Sequence, residues 1–380
     1  MFVQQLRLTE RAQLADLRAR IESAAQWVLV FAAPAWFADP DFYPQLRAAF
    51  PDSALCGCST AGEISRNGVS NGSCVITAVR WTGPPPAVVV TELASMDDSL
   101  AAGMRLGRQI SSASAVLVFA PGVDVNGSAL VDGLAASLPR GTPIMGGLAG
   151  DDGAFRQTYT LTDDGIFSRS VVAIGLPASI RTSHGSYGGW KPFGPARKVT
   201  RSQNNVLFEL DGESALTVYK RYLGDHSRDL PASGLLFPFE MLTAEHSGTG
   251  LIRTILGIDE AAGSLILAGD IDQRGYLRLM HASTDALVNG AETAAEAAIA
   301  GIDGKPDRAL ALLVSCVGRK LVMGGRVDEE VEGVADVLGS GAVLAGFYSY
   351  GEISPGATGD CRLHNQTMTI TCLTELPNPG

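Results

Sequence analysis

The chain has 380 residues, 46% of them hydrophobic, with a formal charge of −11 and a pI near 5.0. That length supports a large core and two domains. The acidic balance argues against nucleic acid and anionic membrane surfaces as partners, and no run approaches the ~18 apolar residues of a membrane span.

The first segment, Met1 to Ser23, carries Glu10, Asp16 and Glu22 and lacks the pattern of a secretory signal. Thr9 as N-cap, with Leu14, Leu17 and Ile21 on one face, predicts an amphipathic N-terminal helix. An apolar run follows, Val28 to Phe31, and then a segment ending at Phe50. Leu55 to Ser65 reads L-C-G-C-S-T-A-G-E-I-S, and a Gly-rich turn, Asn67 to Gly72, leads to an alternating strand over Cys74 to Val79. A weaker version comes next. It has Val116 to Phe119, a helix pattern over Asn126 to Leu138, P-I-M-G-G-L-A-G-D over Pro143 to Asp151, and a strand over Val171 to Leu176.

Between Arg181 and Val199 the composition shifts to Gly, Ser, Trp and Pro, which marks the expected domain boundary. A helix is predicted over Glu213 to Leu223, opened by Asp211 and closed by Gly224. Arg228 to Gly250 is loop-rich. Strands are predicted over Ser264 to Ala268 and Tyr276 to Met280, with Asp270 and Asp272 as an acidic pair on a turn. A helical Ala/Glu segment spans Ala291 to Ala300. The pattern then returns: Leu310 to Val314, a helix over Asp328 to Leu338, L-A-G-F-Y-S-Y-G-E-I-S over Leu344 to Ser354, a turn over Pro355 to Gly359, and a strand over Thr367 to Leu373.

The two long phrases align without a gap, 289 positions apart. Leu55/Leu344, Gly57/Gly346, Gly62/Gly351, Glu63/Glu352, Ile64/Ile353 and Ser65/Ser354 are identical. Such self-similarity marks a copied structural unit. The unit is strand, helix, strand, glycine-acid turn, strand. Short Val/Ile-rich runs bounded by Gly and Pro read as buried strands. The fold class is therefore α/β: a two-domain layered sandwich of mixed sheets with external helices, built from these repeated units.

The chemistry concentrates on the turns. Cys58, Ser59, Thr60, Gly62 and Glu63 in one copy, and Tyr348, Ser349, Gly351 and Glu352 in the other, suit a small polar ligand bearing an amine or hydroxyl. Tyr348 and Tyr350 would offer stacking faces. Turn-making, with each Glu capping nearby amides, accounts for the same residues equally well. His364 and Asn365 open the last strand and read as a hairpin latch reaching the Gly351–Glu352 turn, and they join its residues as candidate ligand contacts. An enzyme using Cys58 or Ser59 would need an adjacent base, and all five histidines lie at or beyond His184. The six cysteines fall mostly in apolar runs without C-x-x-C, so they are expected to be reduced core residues of a cytoplasmic protein. No catalytic set, P-loop, dinucleotide fingerprint or metal motif is present.

G-C-S-T-A-G-E-I-S, Y-S-Y-G-E-I-S-P and L-H-N-Q-T-M-T resemble the FIST sensory proteins, as do Gly189–Pro192, V-T-R-S at Val199, and F-E-L-D-G at Phe208 to Gly212. The resemblance spans Val28 to Leu373. It implies a FIST N-terminal domain over 1–180, with an N-terminal helix over 1–25, and a FIST C-terminal domain over 181–380. It further implies a sensory role in signal transduction and a small ligand, amino acids having been proposed. With no output domain expected in the chain, the partner would be a separate histidine kinase or cyclic-dinucleotide enzyme. One stand-alone subset, the NosP type, binds haem and senses nitric oxide. On that implication the cofactor would be haem b, with His184, His226, His246 or His281 as axial ligand. Covalent haem is excluded by the absence of C-x-x-C-H.

Overall fold

A computed structural model describes residues 1–21, 24–302, 308–356 and 359–376. The end of the expected N-terminal helix and two residues of the expected Pro355–Gly359 turn lie outside these.

The first repeat runs β1 (Phe2–Leu8), β2 (Trp27–Ala32), α1 (Phe42–Ala49), β3 (Ala54–Ser59), the short hairpin β4 (Glu63–Ser65) and β5 (Gly68–Ser70), and β6 (Cys74–Arg80). The second runs β7 (Ala87–Glu92), α2 (Ser99–Gln109), β8 (Ala115–Ala120), α3 (Gly127–Ser137), β9 (Ile144–Leu148), the hairpin β10 (Thr160–Thr162) and β11 (Gly165–Phe167), and β12 (Ser170–Leu176). The third opens with β13 (Ile180–Tyr187). A nine-stranded sheet, from Lys191–Pro192 to Tyr276–His281, is inserted there with its helix α4 (Ala215–Leu223) and its own core. The third repeat then resumes with α5 (Thr284–Ala300), β14 (Ala309–Cys316), α6 (Val317–Met323), α7 (Asp328–Leu338), β15 (Ala342–Ser349), the hairpin β16 (Gly351–Pro355) and β17 (Cys361–His364), and β18 (Met368–Glu375).

Each repeat builds a six-stranded mixed sheet around one parallel pair, β2/β3, β8/β9 or β14/β15. The strand orders are β1-β6-β2-β3-β10-β11, β17-β16-β9-β8-β12-β7 and β13-β18-β14-β15-β4-β5. Each glycine-acid turn therefore carries its hairpin out of its own sheet. The first repeat's hairpin joins the third sheet, the second's joins the first, and the third's joins the second. The exchange is cyclic, and it ties the three copies into one body.

The period-2 pattern explains the layering. On β2, Trp27, Leu29 and Phe31 face a central core shared by all three sheets, whereas Val28, Val30 and Ala32 face α1. The centre is filled by Phe31, Phe119 and Phe347, whose ring centroids lie 4.8 to 6.0 Å apart. Helices α2, α3, α5 and α7 cover the outer faces of the second and third sheets.

Two elements differ from the sequence expectation. Residues Phe2–Leu8 form a strand, paired throughout with β6, where a helix was predicted. Leu14, Leu17 and Ile21 are buried as expected, but Leu14 and Leu17 sit on two short helical turns, Arg11–Leu14 and Leu17–Arg20, and Ile21 follows the second in extended conformation. Helix α4 is capped by Ser214, whose hydroxyl accepts from the Thr217 amide, not by Asp211. Among the described residues no helix is long and apolar enough to cross a membrane.

Candidate functional site

The two repeated glutamates are buried and bound in the same way. The Thr60 hydroxyl donates to Glu63 Oε1 at 2.6 Å, and the Ser73 amide and hydroxyl donate to Oε2 at 2.9 and 2.8 Å. The Ser349 hydroxyl donates to Glu352 Oε1 at 2.7 Å, and the Thr367 amide and hydroxyl donate to Oε2 at 3.1 and 2.9 Å. Each carboxylate thus clamps its turn to the residue just before the repeat's closing strand. Their lone pairs face their own chain.

The neighbouring residues are equally enclosed. Ser59 donates to the Gly150 carbonyl and accepts from the Tyr159 amide. Tyr348 donates to Glu330 at 2.7 Å. Cys58 is fully buried, and burial pushes its thiol well up. The Gly62 amide donates to Thr60, and Gly351 packs on Leu148 and Leu363. His364 Nε2 meets the Ser354 carbonyl at 3.1 Å within the β16/β17 hairpin, and burial pushes its ring down to about 4. Asn365 is buried with both side-chain polar atoms unpartnered. None of these residues lines the cleft described below.

Burial pushes Glu352 up to about 8, and raises Glu63 in the same direction. A raised carboxyl keeps its proton in the folded chain over a range where the unfolded chain has lost it. The stability it contributes is complete below the ordinary carboxylate value of 4.5 and is lost as pH rises through about 8. The urea midpoint is therefore expected to fall across that window, with a slope from this group of at most ~1.4 kcal/mol per pH unit. Glu352→Gln is expected to flatten it. Equal slopes in both proteins would refute the assignment.

The other histidines are dispersed. His184 sits half-buried on β13 opposite Thr371. His226 and His246 are exposed beside Phe237 and Tyr276, and His281 is exposed beside Phe193. None of the five lines the cleft, so it does not fit a histidine-ligated haem.

The cleft itself is a cavity of about 310 Å³ between the second repeat and the inserted sheet. One wall is the loop from Gly122 to Gly127, where the chain leaves the C-terminal end of β8 and enters α3. Such strand ends are the usual ligand position in α/β sheets. Asn126 Oδ1 accepts from the Ala129 amide and caps α3. The opposite wall is Ile266 to Asp270 with Leu256 and Asn205. The floor includes Tyr350, stacked on Phe155 with centroids 4.0 Å apart and planes 13° from parallel. The Tyr350 hydroxyl donates to Asp151 and accepts from the Gly153 amide at 2.9 Å. Asp151 also accepts from the amides of Phe155, Arg156 and Gln157 at 2.7 to 2.9 Å, which fixes the loop carrying Phe155.

Chemically the cleft is apolar and acidic. Leu256 and Ile266 are 42% and 37% exposed at its mouth, facing Val123 and Val125. Among the described residues Asp124 and Asp270 are the charged residues that line it. Behind Asp270, the buried Arg253 donates to the carbonyls of Asp270 and Leu363, both at 3.2 Å, and ties the inserted sheet to β17. Of the residues singled out in the sequence, only Tyr350 and Asp270 reach this cavity. Asp124 carried a detectable signal only as a non-glycine residue with φ +56°, which is a backbone property.

The FIST N domain sequence matches residues 26–213, and the FIST C domain matches residues 215–355. No curated protein matches the chain. A solved structure, cyanuric acid hydrolase from A. caulinodans, is similar over 98% of this chain and 99% of that one, at 9% identity and a TM-score of 0.39.

Proposed function

The chain belongs to the FIST family, whose domains are sensory modules of signalling proteins, and from that premise we infer that it reports a small ligand held in the Tyr350 cleft. The observation that carries this reading is the cleft's position at the junction of two bodies. One wall belongs to the second repeat and the other to the inserted sheet. A ligand that touches both walls favours the closed arrangement over the open one by its difference in affinity for the two. The repeat core, locked by its cyclic exchange, serves as the fixed body. The inserted sheet serves as the moving one.

Apolar walls with Asp124 and Asp270 suit a compact ligand with an apolar body and an amine or hydroxyl, an amino acid or related amine being the first class to screen. The output would pass to a separate partner such as a histidine kinase or a cyclic-dinucleotide enzyme.

The test is a thermal-shift screen of amino acids and apolar amines, followed by titration of the hits on Ile266→Asp and Leu256→Asp. Both positions are exposed, so the fold should hold. Affinity is expected to fall by about tenfold or more, since each change removes apolar burial worth ~1.5–3 kcal/mol. Wild-type affinity in both variants would refute the cleft, as would a screen without a saturable hit.

A further inference from the structure

A second cavity, of about 250 Å³, lies on the other side of the Pro121–Asp124 segment and shares Val123 and Asp124 with the cleft. Its chemistry is the reverse. Arg156, Arg169, Gln157, Thr158 and Ser168 line it. Many arginines of this acidic chain are matched to carboxylates, as in Arg47–Asp163, Arg105–Asp98, Arg278–Glu240 and Arg319–Glu330. Among the described residues Arg156 and Arg169 form no ion pair. The Arg169 guanidinium donates to the carbonyls of Leu93, at 3.1 Å, and Ala94, which aims it without neutralising it. The backbone at Arg156 is fixed by its amide, which donates a hydrogen bond to Asp151 Oδ2 at 2.7 Å. Thr158 accepts from the Gly122 amide at 2.9 Å and anchors the shared wall. Among the described residues Asp124 is the one carboxylate lining the cavity, beside Arg156 and Arg169.

We propose that this cavity is an anion site, taking a carboxylate or phosphate group between Arg156 and Arg169. Guanidiniums bind both through paired, charge-assisted hydrogen bonds, and the Arg169 head, aimed by the Leu93 and Ala94 carbonyls, pre-organises one side of the site. The ligand's ordering effect would fall on Val123 and Asp124, which also wall the cleft. The site stands whether or not the cleft binds its own ligand.

The experiment titrates inorganic phosphate, and separately acetate, into the full chain in buffer held at constant ionic strength with chloride. Binding is read by calorimetry, and for phosphate also by phosphorus NMR line width. Saturable binding of at least one anion is expected. Arg156→Gln should weaken it about tenfold through loss of a charge-assisted hydrogen bond, and Arg156→Glu should abolish it. Arg156 is exposed, so both variants should fold, which circular dichroism checks. Ile266→Asp should leave anion binding intact, which separates this site from the cleft. Phosphate binding alone points to a phosphorylated ligand, and acetate binding alone to a carboxylate. Absence of saturable binding of either anion would overturn the proposal. So would wild-type affinity in both Arg156 variants.

Discussion

Replacing Gly346 by alanine is expected to leave no stably folded chain. A Cβ at Gly346 would lie 1.9 Å from the Leu313 carbonyl oxygen on the paired strand β14. The equivalent glycines stand in the same trap. Gly57 would meet the Val30 carbonyl at 1.9 Å, and Gly146, with φ +131°, would meet the Val118 carbonyl at 2.0 Å. In all three the obstacle is backbone of the parallel partner, so no side-chain rotation relieves it. Relief requires the central pair of a sheet to separate, and that pair lines the core shared by all three sheets. A loss of more than ~4 kcal/mol is expected for each single substitution, the range reached when a core backbone contact is broken. Gly325→Ala is the control. Nothing lies within 4 Å of its Cβ, and a change below ~0.5 kcal/mol is expected there. Soluble yield and urea unfolding would decide the matter. A cooperative Gly346→Ala protein of near wild-type midpoint would show that the glycine serves another purpose.

Glu330→Leu is expected to have the second largest effect. Glu330 and Arg319 are both wholly buried. Glu330 Oε1 accepts from Arg319 Nε at 2.7 Å and from Nη2, while Oε2 accepts from Ser315 at 3.0 Å and Tyr348 at 2.7 Å. Arg319 also donates to the carbonyls of Gly188 and, at 2.8 Å, Leu287. One ion pair therefore joins α6, α7, β14, β15, the start of α5 and the segment leading into the inserted sheet. Removing the carboxylate leaves an uncompensated guanidinium in the interior, which costs ~3–5 kcal/mol. Removing both partners, as in Arg319→Met with Glu330→Leu, should cost less than the sum of the single changes. A measured sum that is additive would show that the two charges do not depend on each other.

The repeated unit was legible because it is written in local terms. Val28–Phe31, Val116–Phe119 and Leu310–Val314 are apolar runs too short for helices, and each proved to be a buried central strand. The helix patterns over Asn126–Leu138 and Asp328–Leu338 were met within a residue at each end. The Ala291–Ala300 segment proved to be the second half of a longer helix, because Ser283 caps it eight residues before the Ala/Glu pattern begins. The N-terminal segment misled for a specific reason. Leu14, Leu17 and Ile21 recur at helical spacing, but the preceding residues pair with the exposed edge of β6, and edge pairing has no signature in a single strand's own residues.

Glycine and acid at fixed spacing were visible as a signal but ambiguous in meaning, since a ligand site and a self-bonded turn call for the same residue types. The partners that settle where the carboxylates point, Ser73 and Thr367, lie 10 and 15 residues downstream. The cleft was less legible still. Asp124, Phe155, Ile266 and Tyr350 are scattered over the chain, and only the packing of the inserted sheet against the second repeat gathers them.

By itself, then, the sequence determined the copies and most of their strands and helices. These follow from hydrophobic period, which acts between near neighbours, whereas the need for glycine at Gly57, Gly146 and Gly346 comes from the partner strand that only the fold sets alongside. The tertiary structure alone decided that each turn hands its hairpin to the next sheet, that both repeated glutamates close turns, and that two opposite cavities flank the Pro121–Asp124 segment. Those outcomes depend on hydrogen bonds and packing between residues tens to hundreds of positions apart, and no local pattern encodes which distant partner a strand edge or a buried carboxylate will meet.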